Sequence, residues 1–193
     1  MSAGARISQR PSRVPDRDPD LEAVLAAQRD RAAFDSLYRR YVEPIYSYAF
    51  YMLGDHHDAE DATERTFLSA LTAIDRFRDD GATFRAWLFR IAHNAIANAL
   101  RARRRRRATP LESAPEPVDP AADPVGLVAR AEERRRLRAA VGTLPVERRQ
   151  VVILRFVDGL SAREIGLILG RSEGAVRVLL HRALRDLGAR LEG

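Results

Sequence analysis

The chain has 193 residues, room for one domain or two small ones, with 46% hydrophobic residues and a formal net charge of +6. It contains no cysteine, which excludes disulfides and thiolate zinc sites, and all 33 of its basic residues are arginine. No apolar run reaches membrane-spanning length and the opening MSAGARISQRPSRVPDRDPD lacks the apolar centre of a signal peptide, so a soluble cytoplasmic protein is expected, with nucleic acid or an anionic surface as partner.

Residues 1–19 are polar and carry Pro11, Pro15 and Pro19, the composition of a disordered tail. Asp20 reads as the N-cap of a short helix over Leu21–Gln28. Ala33, Phe34, Leu37, Tyr38, Tyr41, Ile45, Tyr48, Ala49 and Met52 then recur at helical spacing. Pro44 inside that pattern predicts a kink or a restart, and Gly54 ends it. In GDHHDAEDATERTFLSALTAIDRF, Asp55 or Asp58 can cap, and Ala62, Thr66, Phe67, Ala70, Leu71 and Ile74 form a buried stripe. His57 and Asp61, one helical turn apart beside Asp55, His56, Asp58 and Glu60, have the spacing of some metal-ligand pairs. Acids are favoured at a helix start on electrostatic grounds alone, so the better reading is an exposed acidic face. Neither a metal nor any other cofactor is expected.

The loop FRDDGA, residues 77–82, carries the turn signal Asp80-Gly81. A long helix should begin near Thr83, with Phe84, Trp87, Leu88, Ile91, Ala95 and Leu100 facing a core. Arg85, Arg90, His93, Asn94, Asn98, Arg101 and Arg103 through Arg107 make its other side polar or cationic. That run suits a phosphate backbone, although a solvated tail has the same composition. Trp87 is expected in the core, whereas Phe77 and Phe84, flanking the loop, are candidates to stack on an unpaired base. Residues 108–126 hold Pro110, Pro115, Pro117, Pro120 and Pro124, with Glu112, Glu116, Asp119 and Asp123 as the only charges: an acidic, Pro-rich linker. A helix is expected from Leu127 to Gly142. Pro145 starts VERRQVVILRFV, whose Val146, Val151, Leu154, Phe156 and Val157 can pack against the C-terminal helices, and Asp158-Gly159 is the next turn.

The stretch LSAREIGLILGRSEGAVRVLLHRALRDL reads as a helix-turn-helix. Ser161 and Glu164 have the spacing of a capping box, Gly170 marks the turn, and Ser172 can cap the second helix. Val176, Leu179, Leu180, Ala183, Leu184 and Leu187 should face a core. Glu173, Arg177 and His181 lie on another face beside Arg182. In a helix-turn-helix the exposed N-terminal residues of the second helix meet base edges in the major groove, while the bland alternative is a helical hairpin with a solvated basic face. The fold class is therefore all-α: a helical domain over 20–107 and a helix-turn-helix domain over 127–193, joined by the linker, with no further domain expected.

Together, FDSLYRRY, DAEDATERTFLSAL, FRAWLFRIAHNAIANALRARRR, LPVERRQVVILRFVDGLSAREIG and LGRSEGAVRVLLHRAL resemble the extracytoplasmic-function (ECF) sigma factors of bacterial RNA polymerase. The resemblance covers about Phe34–Arg107 and Leu127–Leu187. It implies a non-enzymatic initiation subunit without a small-molecule substrate. Its partners would be core polymerase (clamp helices of the largest subunit, flap of the second), promoter DNA and an anti-sigma factor. It implies core-polymerase contacts at Asp58, Glu60, Asp61, Glu64, Phe67 and Leu68. Capture of the melted minus-10 element would fall to Phe77, Arg78, Asp80, Phe84, Arg90, Asn94, Asn98 and Arg101. The minus-35 duplex would be read by Arg171, Ser172, Glu173, Arg177, His181 and Arg182. Family members commonly carry an apolar residue in place of Arg171, Gln in place of Glu64 and Asp in place of Asn98, which bears on promoter sequence rather than class. The competing readings are a stand-alone helix-turn-helix regulator, which needs a dimerisation element, and an enzyme, which needs a nucleophile with its base or convergent carboxylates. The sequence displays no dimerisation element, and the acids near Asp58, the only candidates for convergent carboxylates, suit a helix N-terminus better. Two modules on a strap also predict a free chain that is extended and mobile.

Overall fold

The computed structural model describes residues 18–79, 81–108 and 139–191, and every regular element among them is helical. Most of the expected N-terminal tail, the linker, the helix start at Leu127 and Asp80 lie outside the described residues. The first module comprises α1 (Leu21–Arg29), a 3-10 turn (Arg31–Phe34), α2 (Asp35–Leu53), α3 (His56–Ala73), a second 3-10 turn (Ile74–Arg76) and α4 (Phe84–Ala108). The second comprises α5 (Val146–Val152), a π-turn (Ile153–Val157), α6 (Ala162–Leu169) and α7 (Glu173–Leu191).

α2, α3 and α4 pack on one another around Leu37, Ile45, Tyr48, Phe84, Leu88, Phe89 and Ile96. Each such side chain taken from water contributes roughly 1.5–3 kcal/mol, so the apolar periodicity fixes which face each helix turns inward. α2 runs through Pro44 without a restart. Burial of Tyr41, Ile45 and Tyr48 on both sides of the proline outweighs the one lost ladder bond. Gly54 ends α2 at φ +71°, and the Asp55 side chain then accepts from Asp58 N at 2.9 Å to start α3. Asp20 stands at the N-cap position of α1, as expected, but its side chain makes no capping bond. Its side chain lies 1% exposed, accepting from the Tyr41 hydroxyl and pairing with Arg40.

In the second module Val151, Leu154, Leu160, Ile165, Val176, Ala183 and Leu187 are buried. The sequence pattern places Phe156 and Val157 inside, but they are 60% and 48% exposed, and Leu184 is 48% exposed. For Phe156 and Val157 the reason is the π-turn. Asp158 N bonds to Ile153 O at 3.2 Å, five residues back, and Leu160 N to Leu154 O at 2.9 Å. One extra residue in the turn rotates Phe156 and Val157 outward and Asp158 inward.

The modules are not apart. α4 packs against α6, and the π-turn packs against α2. The expectation of an extended chain thus gives way to a docked arrangement, because each module presents apolar and half-buried polar surface to the other.

Candidate nucleic-acid and polymerase-binding faces

The helix-turn-helix is built as its residues dictate. Ser161 Oγ accepts from Glu164 N at 3.2 Å, and Glu164 Oε2 accepts from Ser161 N at 2.8 Å, a complete capping box. Gly170 ends α6 at φ +64°. Gly166 is required by space: a Cβ there would lie 2.6 Å from the backbone oxygen of Arg171. Ser172 Oγ accepts from Ala175 N at 3.2 Å and caps α7. Arg171, Ser172, Glu173, Arg177, His181 and Arg182 are all exposed around the turn and along one side of α7. Arg171 is paired with Glu147, and Arg177 with Glu173 at 2.5 Å. Exposed pairs of this kind contribute at most about 1 kcal/mol, so a phosphate or a guanine can take over either arginine.

On α4, Arg90, Asn94, Asn98 and Arg101 are exposed or half-exposed at helical spacing and form one stripe, with Arg101 donating to Asn98 Oδ1 at 2.6 Å. Arg78 is exposed in the preceding loop, its guanidinium donating to Asp75 O at 2.7 Å and Phe77 O at 2.8 Å. Phe77 and Phe84 are not available to stack on a base. They are 4% and 0% exposed and interlock with Tyr41 and Trp87 at ring separations of 5.5–5.8 Å. Aromatic side chains flanking a loop serve equally well to plug a core, and here they fill the space beneath the loop. Trp87 is only partly buried and packs against the same cluster.

On α3, Glu60, Asp61, Glu64 and Leu68 are exposed and Asp58 is half-buried, so an acidic face with one apolar side chain looks outward. Phe67 does not join it. It is 6% exposed and packs edge-on against Phe34 and Tyr38. Among the described residues no group of His, Cys, Asp and Glu is placed to hold a metal ion, and no helix is long and apolar enough to cross a membrane.

Four features escape sequence reasoning. Asp158 is 8% exposed at the seam between modules, with Oδ2 lacking a hydrogen-bond partner. Burial pushes its carboxyl up to about 7, and the nearby Arg85 guanidinium only partly offsets that. Tyr48, wholly buried, meets His93 Nδ1 at 3.2 Å, and burial holds His93 below the usual imidazole range. Thr83 Oγ1 donates to Glu164 Oε1 at 3.3 Å across the seam. Lastly, Asp18 is 5% exposed beneath the start of α4. Nothing in local spacing reveals such contacts, since each partner is distant in the chain.

A capped helix-turn-helix beside a helical module with a cation–amide stripe defines a helical DNA-binding protein. Residues 37–106 match the family model of Sigma-70 region 2, and residues 134–187 that of Sigma-70, region 4. The chain is 35% identical over 180 residues to the ECF RNA polymerase sigma factor BldN of Streptomyces coelicolor, covering 93% of this chain and 68% of the relative. With the RNA polymerase sigma factor CarQ of Myxococcus xanthus it shares 34% identity over 171 residues, 83% of this chain and 91% of the relative. Among solved structures, CnrH in complex with the cytosolic domain of CnrY aligns with a TM-score of 0.70 and 28% identity, covering 91% of this chain and 98% of that one. RpoE of Bartonella quintana, in complex with the anti-sigma factor NepR, has the same fold, with a TM-score of 0.64, 23% identity and coverage of 82% of this chain and 96% of that one. The chain belongs to the ECF family of RNA polymerase sigma factors.

Proposed function

We propose that this chain directs core RNA polymerase in the cytoplasm to a specific set of promoters, without catalysis of its own. The acidic face of α3, with Asp58, Glu60, Asp61, Glu64 and Leu68, contacts the clamp helices of the polymerase's largest subunit, and the second module contacts the flap of the second. Arg78, Asp80, Arg90, Asn94, Asn98 and Arg101 engage the melted minus-10 strand. Arg171, Ser172, Glu173, Arg177, His181 and Arg182 read the minus-35 duplex. The observation that carries this reading is the pair of separate outward-facing stripes, one on α4 and one on α7, each mixing arginine with amide, hydroxyl or imidazole groups. Arginine neutralises phosphate, and the other groups can meet base edges.

The two elements lie about 25 base pairs apart, ~85 Å at 3.4 Å per step. Modules that touch through Thr83 and Glu164 must therefore part to read both. An anti-sigma factor that favours the docked arrangement would hold the chain silent; RpoE was solved in complex with the anti-sigma factor NepR, and CnrH with the cytosolic domain of CnrY. Run-off transcription with cognate core polymerase on a genomic fragment library tests the proposal. Defined start sites sharing two motifs are expected only when this chain is added. Transcripts unchanged by its addition would refute the assignment, and core-independent binding to an inverted repeat would instead identify a stand-alone regulator.

A further inference from the structure

The loop between the second 3-10 turn and α4 is held at both ends by one short stretch near the N-terminus. At its beginning, Gln28 Nε2 donates to Ile74 O at 2.9 Å and Phe77 O at 3.2 Å. At its end, Phe84 N donates to Asp18 Oδ2, while Asp18 Oδ1 accepts from Asp20 N at 2.9 Å. Asp20 is itself fixed by Arg40 and the Tyr41 hydroxyl, and Leu21 N bonds to Asp18 O at 3.1 Å.

α4 does not need Asp18 merely to begin. Thr83 Oγ1 already accepts from Ala86 N at 3.2 Å, the usual local cap. Asp18 supplies a second acceptor from 66 residues away, and it does so from a buried position that disfavours its charge. Desolvation raises its pKa, while the two backbone donors pull the other way. An acceptor held in such a place, 66 residues from the helix start it serves, orders something beyond that start. What it orders is residues 77–79 and 81–83, where Arg78 and Asp79 look outward while Phe77 and the adjoining Phe84 are pinned below.

We propose that Asp18 and Gln28 are positioning residues for promoter opening: they hold in place residues 77–79 and 81–83, on which reception of the unpaired minus-10 strand depends. They touch no DNA themselves. Their effect is on capture, and the surfaces for core polymerase and minus-35 duplex lie elsewhere. The inference rests on the strand-capture role given to that loop above.

The test uses the full chain with cognate core polymerase and a promoter fragment recovered by the run-off selection. The fragment carries 2-aminopurine in the minus-10 region of its nontemplate strand. Asp18→Asn is nearly isosteric but presents only one acceptor, Asp18→Ala presents none, and Gln28→Met keeps the length without the donor. All three should slow or weaken the fluorescence rise about tenfold. Core affinity and binding to a minus-35 duplex should stay within about twofold of wild type. Thermal melting of each variant separates this from general weakening. A purely structural role lowers core binding, duplex binding and capture together, in step with the melting midpoint, and would overturn the proposal. So would wild-type capture rates in Asp18→Asn and Gln28→Met. If the wild-type holoenzyme gives no fluorescence rise while still starting transcripts, the assignment of strand capture to this loop fails, and the brace with it.

Discussion

The seam between the modules should weaken as pH rises, and Asp158 should be the cause. In the docked arrangement its carboxyl titrates near 7, whereas a carboxyl returned to water titrates near 3.8. The docked state therefore holds a proton that the parted state releases anywhere between those values. The docked pKa is raised, so docking is unpenalised below about 3.8, loses strength as pH climbs towards 7, and levels off above it. The full difference corresponds to about 4 kcal/mol, and the part falling between pH 5.5 and 8 to about 2 kcal/mol, or ~30-fold in the docking equilibrium. Arg85 and Tyr48 face the same carboxyl, and Glu164 lies on α6 at the same seam. His93 has the opposite sign: its lowered pKa favours the neutral ring, so its contribution fades as pH falls. The absence of cysteine makes the measurement simple, because Ser69→Cys and Arg185→Cys, both exposed, label one module each. Energy transfer between dyes should fall from pH 5.5 to 8 in the free chain. Asp158→Asn should hold transfer high at pH 8, leaving only the shallower His93 dependence. Transfer that is flat across this range in wild type, or an Asp158→Asn chain that titrates like wild type, would refute the reasoning.

Three further outcomes are expected from the packing. Gly166→Ala drives a methyl group to 2.6 Å from the Arg171 carbonyl oxygen, so the turn must shift. Urea denaturation should show a loss of about 1–3 kcal/mol, accompanied by loss of minus-35 duplex binding. Phe84→Ala should cost about 3–5 kcal/mol of stability in the same assay, because the ring is wholly buried; unchanged stability with weakened strand capture would restore it as a stacking platform. Arg177→Ala removes a side chain that pairs with Glu173 at the helix surface. Holoenzyme binding to a minus-35 duplex, read by fluorescence anisotropy, should weaken by about 1–3 kcal/mol if Arg177 meets a base edge, with relaxed preference at one position, whereas a phosphate contact would weaken all sequences alike and lower the salt slope by about one.

The elements written in short-range chemistry were legible from the sequence. Ser161 and Glu164 stand three apart and form the box that spacing implies, and Gly170 and Gly54 take the left-handed conformations that helix ends favour. The outward stripe on α4 follows from periodicity alone. What failed was whatever depended on a partner far along the chain. Phe77 and Phe84 have the same composition whether they stack on a base or fill a core, and only the position of Tyr41 and Trp87 decides between them. Phe67, which periodicity places in the buried stripe of α3 and only the resemblance assigns to a polymerase contact, lies in the Phe34–Tyr38 cluster. The π-turn defeats a helical template by one residue, enough to exchange Asp158 for Phe156 and Val157 at the seam.

Glu164 shows how one residue can serve both a helix and the seam without conflict. Its Oε2 closes the capping box on Ser161, while Oε1 accepts from Thr83 of the other module. Parting the modules leaves the capping box whole, and the Thr83 bond is exchanged for one to water at a net difference of about 0.5–1.5 kcal/mol. α6, the helix on which α7 is seated, therefore does not need to refold when it is released. The polar contact across the seam gives orientation, and the strength of docking lies in apolar burial and in the state of Asp158. Docking that weakens as Asp158 loses its proton, the outcome expected above, would let a partner, or polymerase itself, shift the balance with modest differential affinity.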